Sequence, residues 1–213
     1  HELRTPVTAL NLQTKILMSQ FPEHEALINL SKGLARIQHL VTQLLALAKQ
    51  DVGLNLIEPN TEFRLNDVAL NCVEQLVNLA MQKEIDLGFE RNDVIEMNSL
   101  ESTIHSIIFN LIDNAIKYTP NQGIINISVY SDQDNFACVQ IEDSGVGIDP
   151  ENYDKVLKRF YRVHHHLEVG SGLGLSIVDK AIQRLGGTLQ LSRSIDLGGL
   201  SVLVRLPKIL NHH

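Results

Sequence analysis

Leu3, Val7, Leu10, Thr14 and Leu17 recur at steps of four and three, the spacing of one helix face, with Thr14 a polar interruption. After a break at Phe21-Pro22-Glu23 the steps resume at Leu30, Leu34, Ile37, Val41, Leu44 and Ala48. Two such stripes joined by a short connection predict an antiparallel helical hairpin over residues 1–50. A lone hairpin leaves its seam half uncovered. A second copy would complete a dimeric four-helix bundle; the rest of the same chain is the other surface that could cover it.

Residues 51–60 include Gly53 and Pro59 and hold no sustained period, so they read as a linker. From 61 to 208 the pattern switches repeatedly. A short strand begins at Phe63, a helix runs from Asn66 to Lys83, and Ile85, Leu87 and Phe89 alternate as a strand. A helix is expected from about Asn98 to Tyr118, then a hairpin of Ile124–Tyr130 and Phe136–Glu142 turning at Asp132–Asn135. A helix over Leu173–Leu185 stops at Gly186-Gly187, and Thr188–Ser194 and Leu200–Leu206 close the pattern as strands. Helices interleaved with hairpins predict an α/β sandwich, helices on one face of a mixed sheet. The fold class of the whole chain is therefore α+β, a helical hairpin followed by a sandwich.

Composition narrows the function. The net charge is -7 with no Lys/Arg-rich run, which argues against a nucleic-acid partner. Cys72 and Cys138 sit in apolar stretches without neighbours at metal-ligand spacing, and read as buried free thiols in a reducing compartment. No run approaches the roughly 18 apolar residues that cross a bilayer, and no signal-peptide pattern appears. The chain opens at His1 inside a helical pattern, so it is expected to be a fragment. His212-His213 reads as native sequence or a tag remnant.

Three stretches share one chemistry. Asn110, Asn114 and Lys117 lie four and three residues apart late in a helix, on one face. Amide oxygens suit Mg²⁺ and an ammonium suits phosphate; a solvated polar stripe is the plainer reading of these residues alone. Asp143-Ser144-Gly145-Val146-Gly147 follows a strand, where a carboxylate can accept a bond from an exocyclic amine and glycines allow close approach. Gly170, Gly172 and Gly174 open a helix, whose unpaired N–H groups form an anion cradle. No strand feeds these glycines, which disfavours a dinucleotide fold.

Taken together and in this order, the stretches resemble the N, G1 and G2 boxes of the ATP-binding domain shared by histidine kinases, gyrase, Hsp90 and MutL. Arg159-Phe160-Tyr161-Arg162 resembles the F box. The resemblance covers about 62–207. It implies that Asn110 and Asn114 serve Mg²⁺ and the phosphates, with Asn110 the metal ligand. Lys117 would contact phosphate, and Tyr118 would pack on the nucleotide. Asp143 would hold the adenine amine in a pocket shaped by Gly145 and Gly147, with Gly170, Gly172 and Gly174 bordering the triphosphate. The segment between the glycine boxes would be the mobile ATP lid. Its His164-His165-His166 reads as exposed lid sequence rather than a metal site, because three successive side chains do not converge on one ion.

Hydrolytic members of that superfamily carry Glu where this chain has Asn110, so the nucleophile must come from elsewhere. His1-Glu2-Leu3-Arg4-Thr5-Pro6 resembles the H box of histidine kinases of the EnvZ/OmpR-partner class. His1 is two residues, about 200° of helical turn, from seam residue Leu3, so its imidazole faces outward. Glu2 can accept one ring N–H and leave the other nitrogen nucleophilic. Thr5, one turn on, shares the face of His1 and in the resembled class serves the phosphatase reaction. The run through Leu44-Leu45-Ala46-Leu47-Ala48 resembles the PmrB/QseC-like subgroup, with its polymyxin-resistance sensors favoured. The resemblance implies a homodimeric inner-membrane protein whose cytoplasmic portion this is, attached through segments before His1. It further implies an OmpR-like response regulator as partner. A non-catalytic scaffold would need a damaged H or N box, and a bare dimerisation module would not need glycine boxes.

Overall fold

The computed structural model describes residues 4–21, 24–27, 30, 31, 33, 34, 37, 59–161 and 172–209 of the chain. The chain divides into two compact units, His1–Leu56 and Ile57–His213. The first contains α1 (Arg4–Gln20), and the described residues among 25–37 are helical as well. Thr14, the polar interruption in the heptad stripe, is buried there. Its hydroxyl donates back to the Leu10 carbonyl at 2.8 Å, which lets a polar side chain occupy a seam position. Leu34 is buried too, whereas seam residues Leu10, Leu17, Leu30 and Ile37 remain exposed.

The second unit starts with strand β1 (Thr61–Arg64), followed by α2 (Leu65–Gln82), β2 (Asp86–Asn92), β3 (Glu96–Ser99) and α3 (Glu101–Tyr118). The hairpin β4 (Ile124–Ser131) and β5 (Ala137–Asp143) comes next. A 3₁₀ turn at Pro150–Asn152 leads into the short α4 (Tyr153–Val156). Helix α5 (Gly174–Arg184) and strands β6 (Thr188–Arg193) and β7 (Leu200–Leu206) complete it. The main sheet has the order β2-β4-β5-β7-β6, with β2 parallel to β4 and all other neighbours antiparallel. Strands β1 and β3 form a separate antiparallel ribbon.

Side-chain periodicity explains the layers. Every second residue of β4 (Ile125, Ile127, Val129) is buried, and so are Val139 and Ile141 on β5 and Val202 and Val204 on β7. These residues face one another in register, so one side of the sheet is apolar. Helices answer with residues at three- and four-residue steps: Leu65, Val68, Cys72 and Leu76 on α2, Ile104, Ile108, Leu111 and Ile112 on α3, Ile177, Val178 and Ile182 on α5. All belong to one continuous core apart from Ile177. Both cysteines are buried and free. Burial pushes the Cys72 thiol up to about 12, so it is a packing group rather than a reactive one.

Two differences from the sequence expectation have local causes. The helix expected from Asn98 begins at Glu101, because Glu96–Ser99 pairs with β1 as an edge ribbon. Four residues are too few for a hydrophobic period to show. Likewise the one-turn α4 has no stripe long enough to read. The turn expected at Asp132–Asn135 is present: Asp132 Oδ1 accepts from the Phe136 N–H at 2.9 Å, and Asn135 takes the positive φ of 64°.

Candidate functional site

The three chemistry-bearing stretches meet at one end of the sandwich. Asn110, Asn114, Lys117 and Tyr118 occupy the last two and a half turns of α3, Asp143 ends β5, and Gly174 begins α5. Glycine geometry records how closely they approach. A Cβ added to Gly145 would lie 2.6 Å from the Tyr118 carbonyl oxygen, and one on Gly174 3.3 Å from Asn114 Nδ2. The Asn-bearing helix therefore touches both glycine segments. Gly147 and Gly172 have φ of +69° and +68°, where a Cβ is strained. At Gly172 the added atom would also meet Phe160 at 2.9 Å. Phe160 itself is exposed, and its N–H donates to the Gly172 carbonyl at 3.0 Å.

Asp143 follows from the same alternation that builds the core. It pairs with Ile125 and continues the Val139–Ile141 row, so its carboxylate enters the helix-facing layer and is 5 % exposed. Oδ1 accepts from the Gly145 N–H at 2.8 Å and the Leu200 N–H at 3.2 Å. Among the described residues no donor reaches Oδ2. Burial raises the carboxyl above its ordinary value, opposed by the bonds from Gly145 and Leu200. A carboxylate with one oxygen fixed and the other open, in a desolvated corner, is suited to grip a single polar N–H of an otherwise flat, apolar ligand.

Asn110 Nδ2 donates to the Ser106 carbonyl at 2.7 Å, which fixes the amide orientation. Its Oδ1 has no donor among the described residues, and a lone amide oxygen fits a cation that keeps most of its water shell, as Mg²⁺ does. The described residues contain no cluster of three or more His, Cys, Asp or Glu that could cage a metal. Lys117 forms an i,i+4 ion pair with the largely buried Asp113, a partner that its four-residue spacing could have flagged. Tyr118 is exposed at the helix end. Thr5 occupies the second position of α1. His1, Glu2, Gly170 and the His164–His166 run lie outside the described residues.

Sequence reasoning missed three contributors. Gly199 donates its N–H to the Asp143 carbonyl at 3.1 Å, and a Cβ there would collide with the Asp143 backbone and carboxylate. Ser144 Oγ accepts from the Ile124 N–H at 2.8 Å and braces the turn against β4. Lys83 caps the end of α3. None carries a local signal, because each contact joins residues tens of positions apart.

Residues 99–209 match the model of the histidine kinase-, DNA gyrase B-, and HSP90-like ATPase family. The chain is 32% identical over 209 residues to the sensor protein QseC of Escherichia coli K12, covering 96% of this chain and 45% of that protein. It is 32% identical over 212 residues to the sensor protein kinase PmrB of Pseudomonas aeruginosa, covering 98% of this chain and 44% of that protein. It thus spans less than half the length of these relatives. The solved structure of the Acinetobacter baumannii histidine kinase AdeS superposes with a TM-score of 0.67 at 27% identity, covering 98% of either chain.

The buried carboxylate yields a pH prediction. Because the folded-state pKa of Asp143 is raised, its contribution to stability is present at and below the ordinary carboxylate range and is lost as pH rises through the folded value. Asp143→Asn keeps an acceptor for both backbone N–H groups but removes the buried charge. The variant should melt higher than the unmutated chain at neutral pH, and the gap should shrink as pH falls. Thermal melts between about pH 4 and 8 check this; a gap that widens toward low pH contradicts the burial argument.

Proposed function

We propose, on the premise that the chain belongs to the histidine kinase-, DNA gyrase B-, and HSP90-like ATPase family and within it to the PmrB/QseC-like group of bacterial sensor histidine kinases, that it is an ATP-dependent protein-histidine kinase. The observation that carries the reading is that one helix touches both glycine segments, Asn114 at Gly174 and Tyr118 at Gly145 beside the Asp143 carboxylate. Asp143 holds the adenine amine on its open oxygen, Gly145 and Gly147 shape that pocket, and Tyr118 packs on the nucleotide. The start of α5, with Gly170, Gly172 and Gly174, borders the triphosphate, where unpaired helix N–H groups face negative charge. Asn110 offers its amide oxygen to Mg²⁺, which when bound neutralises phosphate charge. Asn114 orients the phosphates, and Lys117 contacts them when it exchanges Asp113 for phosphate oxygen.

His1 is the acceptor. Glu2 takes the proton from the far ring nitrogen as the near one bonds to the γ-phosphorus and the phosphorus–oxygen bond to ADP breaks. The phosphoryl group then passes to an aspartate of an OmpR-like response regulator. The exposed seam of the helical unit is covered by a second copy, giving a homodimeric bundle. We assign residues 1–50 to this dimerisation and phosphotransfer unit, 51–60 to a linker and 61–208 to the ATP-binding domain. Among the described residues no helix is long and apolar enough to cross a membrane. Inner-membrane anchoring is assigned to segments before His1, and the signalling output to polymyxin resistance, the branch to which the similarity to PmrB points.

Three variants test these assignments. Asn114→Ala should abolish binding of a non-hydrolysable ATP analogue by titration calorimetry while leaving the circular dichroism unchanged; unaltered affinity removes the helix face from the site. His1→Gln, made in a chain extended upstream of His1, should bind nucleotide yet take no acid-labile, alkali-stable label from ATP. Label persisting on it would place the acceptor elsewhere. Thr5 follows His1 by four residues in sequence, and its hydroxyl is proposed to orient a water for hydrolysis of the regulator's phosphoaspartate. Thr5→Ala should keep autokinase near normal and slow regulator dephosphorylation, and equal loss of both activities would point to a disturbed helix instead.

A further inference from the structure

Lys83, immediately after α2, is far in sequence from every nucleotide-site residue, yet its ammonium is spent entirely on the helix that carries the asparagines. Nζ donates to the carbonyls of Ile116 at 2.8 Å, Lys117 at 3.0 Å and Thr119 at 2.7 Å. An ammonium has three N–H donors, so all three are used. The acceptors are carbonyls that a helix end leaves without an intrahelical partner, at the negative end of its dipole. One carbonyl in that run is skipped. It belongs to Tyr118, and it is the atom lying where a Cβ on Gly145 would come within 2.6 Å. Lys83 thus gathers the carbonyls on either side of the one that abuts the Asp143 turn.

A second route runs from the same residue to the same turn. The Lys83 carbonyl accepts from the Gln122 N–H at 2.9 Å, and the Asp86 N–H donates to the Gly123 carbonyl at 2.9 Å. The loop between α3 and β4 is thereby pinned to the end of α2. A Cβ on Gly123 would lie 2.8 Å from Ser144 Oγ. The next residue, Ile124, exchanges hydrogen bonds with Ser144, N–H to Oγ at 2.8 Å and carbonyl to N–H at 3.0 Å. Both routes end at Ser144-Gly145, beside the carboxylate of Asp143.

We infer that Lys83 is a positioning residue for the nucleotide site, setting the gap between the Asn face of α3 and the Asp143 turn without itself touching ligand. This rests on the nucleotide-binding reading above for its consequence, though not for its geometry. A residue that serves only as a helix cap would affect stability alone. A residue that sets the gap also displaces the turn that must meet adenine while α3 and α5 hold the phosphates.

The test uses the full chain and three variants. Lys83→Met keeps the apolar stem and removes the donors. Lys83→Arg keeps the charge, but its planar fork cannot direct three N–H groups from one nitrogen. Leu76→Ala, in the core of the same helix, lowers stability without touching either route. Amide spectra without nucleotide should show Ser144 and Gly145 displaced in Lys83→Met and Lys83→Arg but not in Leu76→Ala. Affinity for a fluorescent ATP analogue should fall by about tenfold in Lys83→Met and less in Lys83→Arg, with Leu76→Ala near the unmutated value. Unmoved Ser144 and Gly145 resonances in both Lys83 variants overturn the inference, as does a loss of affinity matched by Leu76→Ala. An unmutated chain that fails to bind the analogue sinks the nucleotide reading, while the amide spectra still decide the role of Lys83. Should Lys83→Met fail to fold, Lys83→Arg carries both readouts.

Discussion

A carboxylate withdrawn from water at the end of a central strand is the constraint around which the second unit is arranged. Asp143 occupies the helix-facing side of β5, where neighbouring positions in the row are Val139 and Ile141. Burying an ionised group without partners is strongly unfavourable. Two backbone N–H groups on Oδ1 offset part of that cost, and supplying them dictates the local chain path. The Gly145 N–H must fold back within two residues, and the Leu200 N–H must arrive from the β6–β7 connection. That connection can reach only if Gly199 has no side chain, since a Cβ there would occupy the carboxylate's own space. The glycines around Asp143 are thus consequences of one buried charge.

Helix α3 is the element through which this corner reaches the rest of the fold. Its apolar face, from Ile104 to Ile116, lies in the core, which fixes its rotation about its own axis. With that rotation set, Asn110, Asn114 and Lys117 share the complementary stripe by helical geometry alone. Axial position is a separate matter. The end of α3 is held by the Lys83 ammonium, and one turn earlier Asn114 closely approaches Gly174. Hydrophobic burial gives the helix its facing, and directional hydrogen bonds give it its register.

How much of this was legible in the sequence follows from the range of the forces involved. In the second unit the long helices, the β4–β5 hairpin and the closing strands each carry a full period of apolar residues, and they form within a few residues of where the period places them. The Val139, Ile141, Asp143 alternation carries the carboxylate onto the apolar face. Ribbon β1–β3 and helix α4 were not legible, because four residues do not complete a pattern and their state is set by pairing or packing from afar. The same limit applies within the site. Asp143 and the glycines beside it are adjacent in sequence and could be read as a turn. Gly199, Ser144 and Lys83 act on partners distant in the chain, and nothing in their own neighbourhoods distinguishes them from a turn glycine, a surface serine and a helix-end lysine.

The chemistry of the α3 face bears on why the chain has two units. An amide at position 110 can orient a cation but cannot take a proton from water. The carboxylate on the neighbouring turn, Asp113, is largely buried and ion-paired to Lys117. Asp143 is directed by its strand into a desolvated corner, with Oδ1 held by two backbone N–H groups. A nucleotide held by such groups is stabilised in place rather than hydrolysed, provided that nothing else brings a nucleophile to it. The group that reacts must then be carried by another part of the molecule. In the proposed reading the acceptor His1, with Glu2 as its base, belongs to the first of the two compact units. On that proposal the nucleophile and the phosphate site belong to different units, so transfer depends on their encounter, a step that an upstream signal can control.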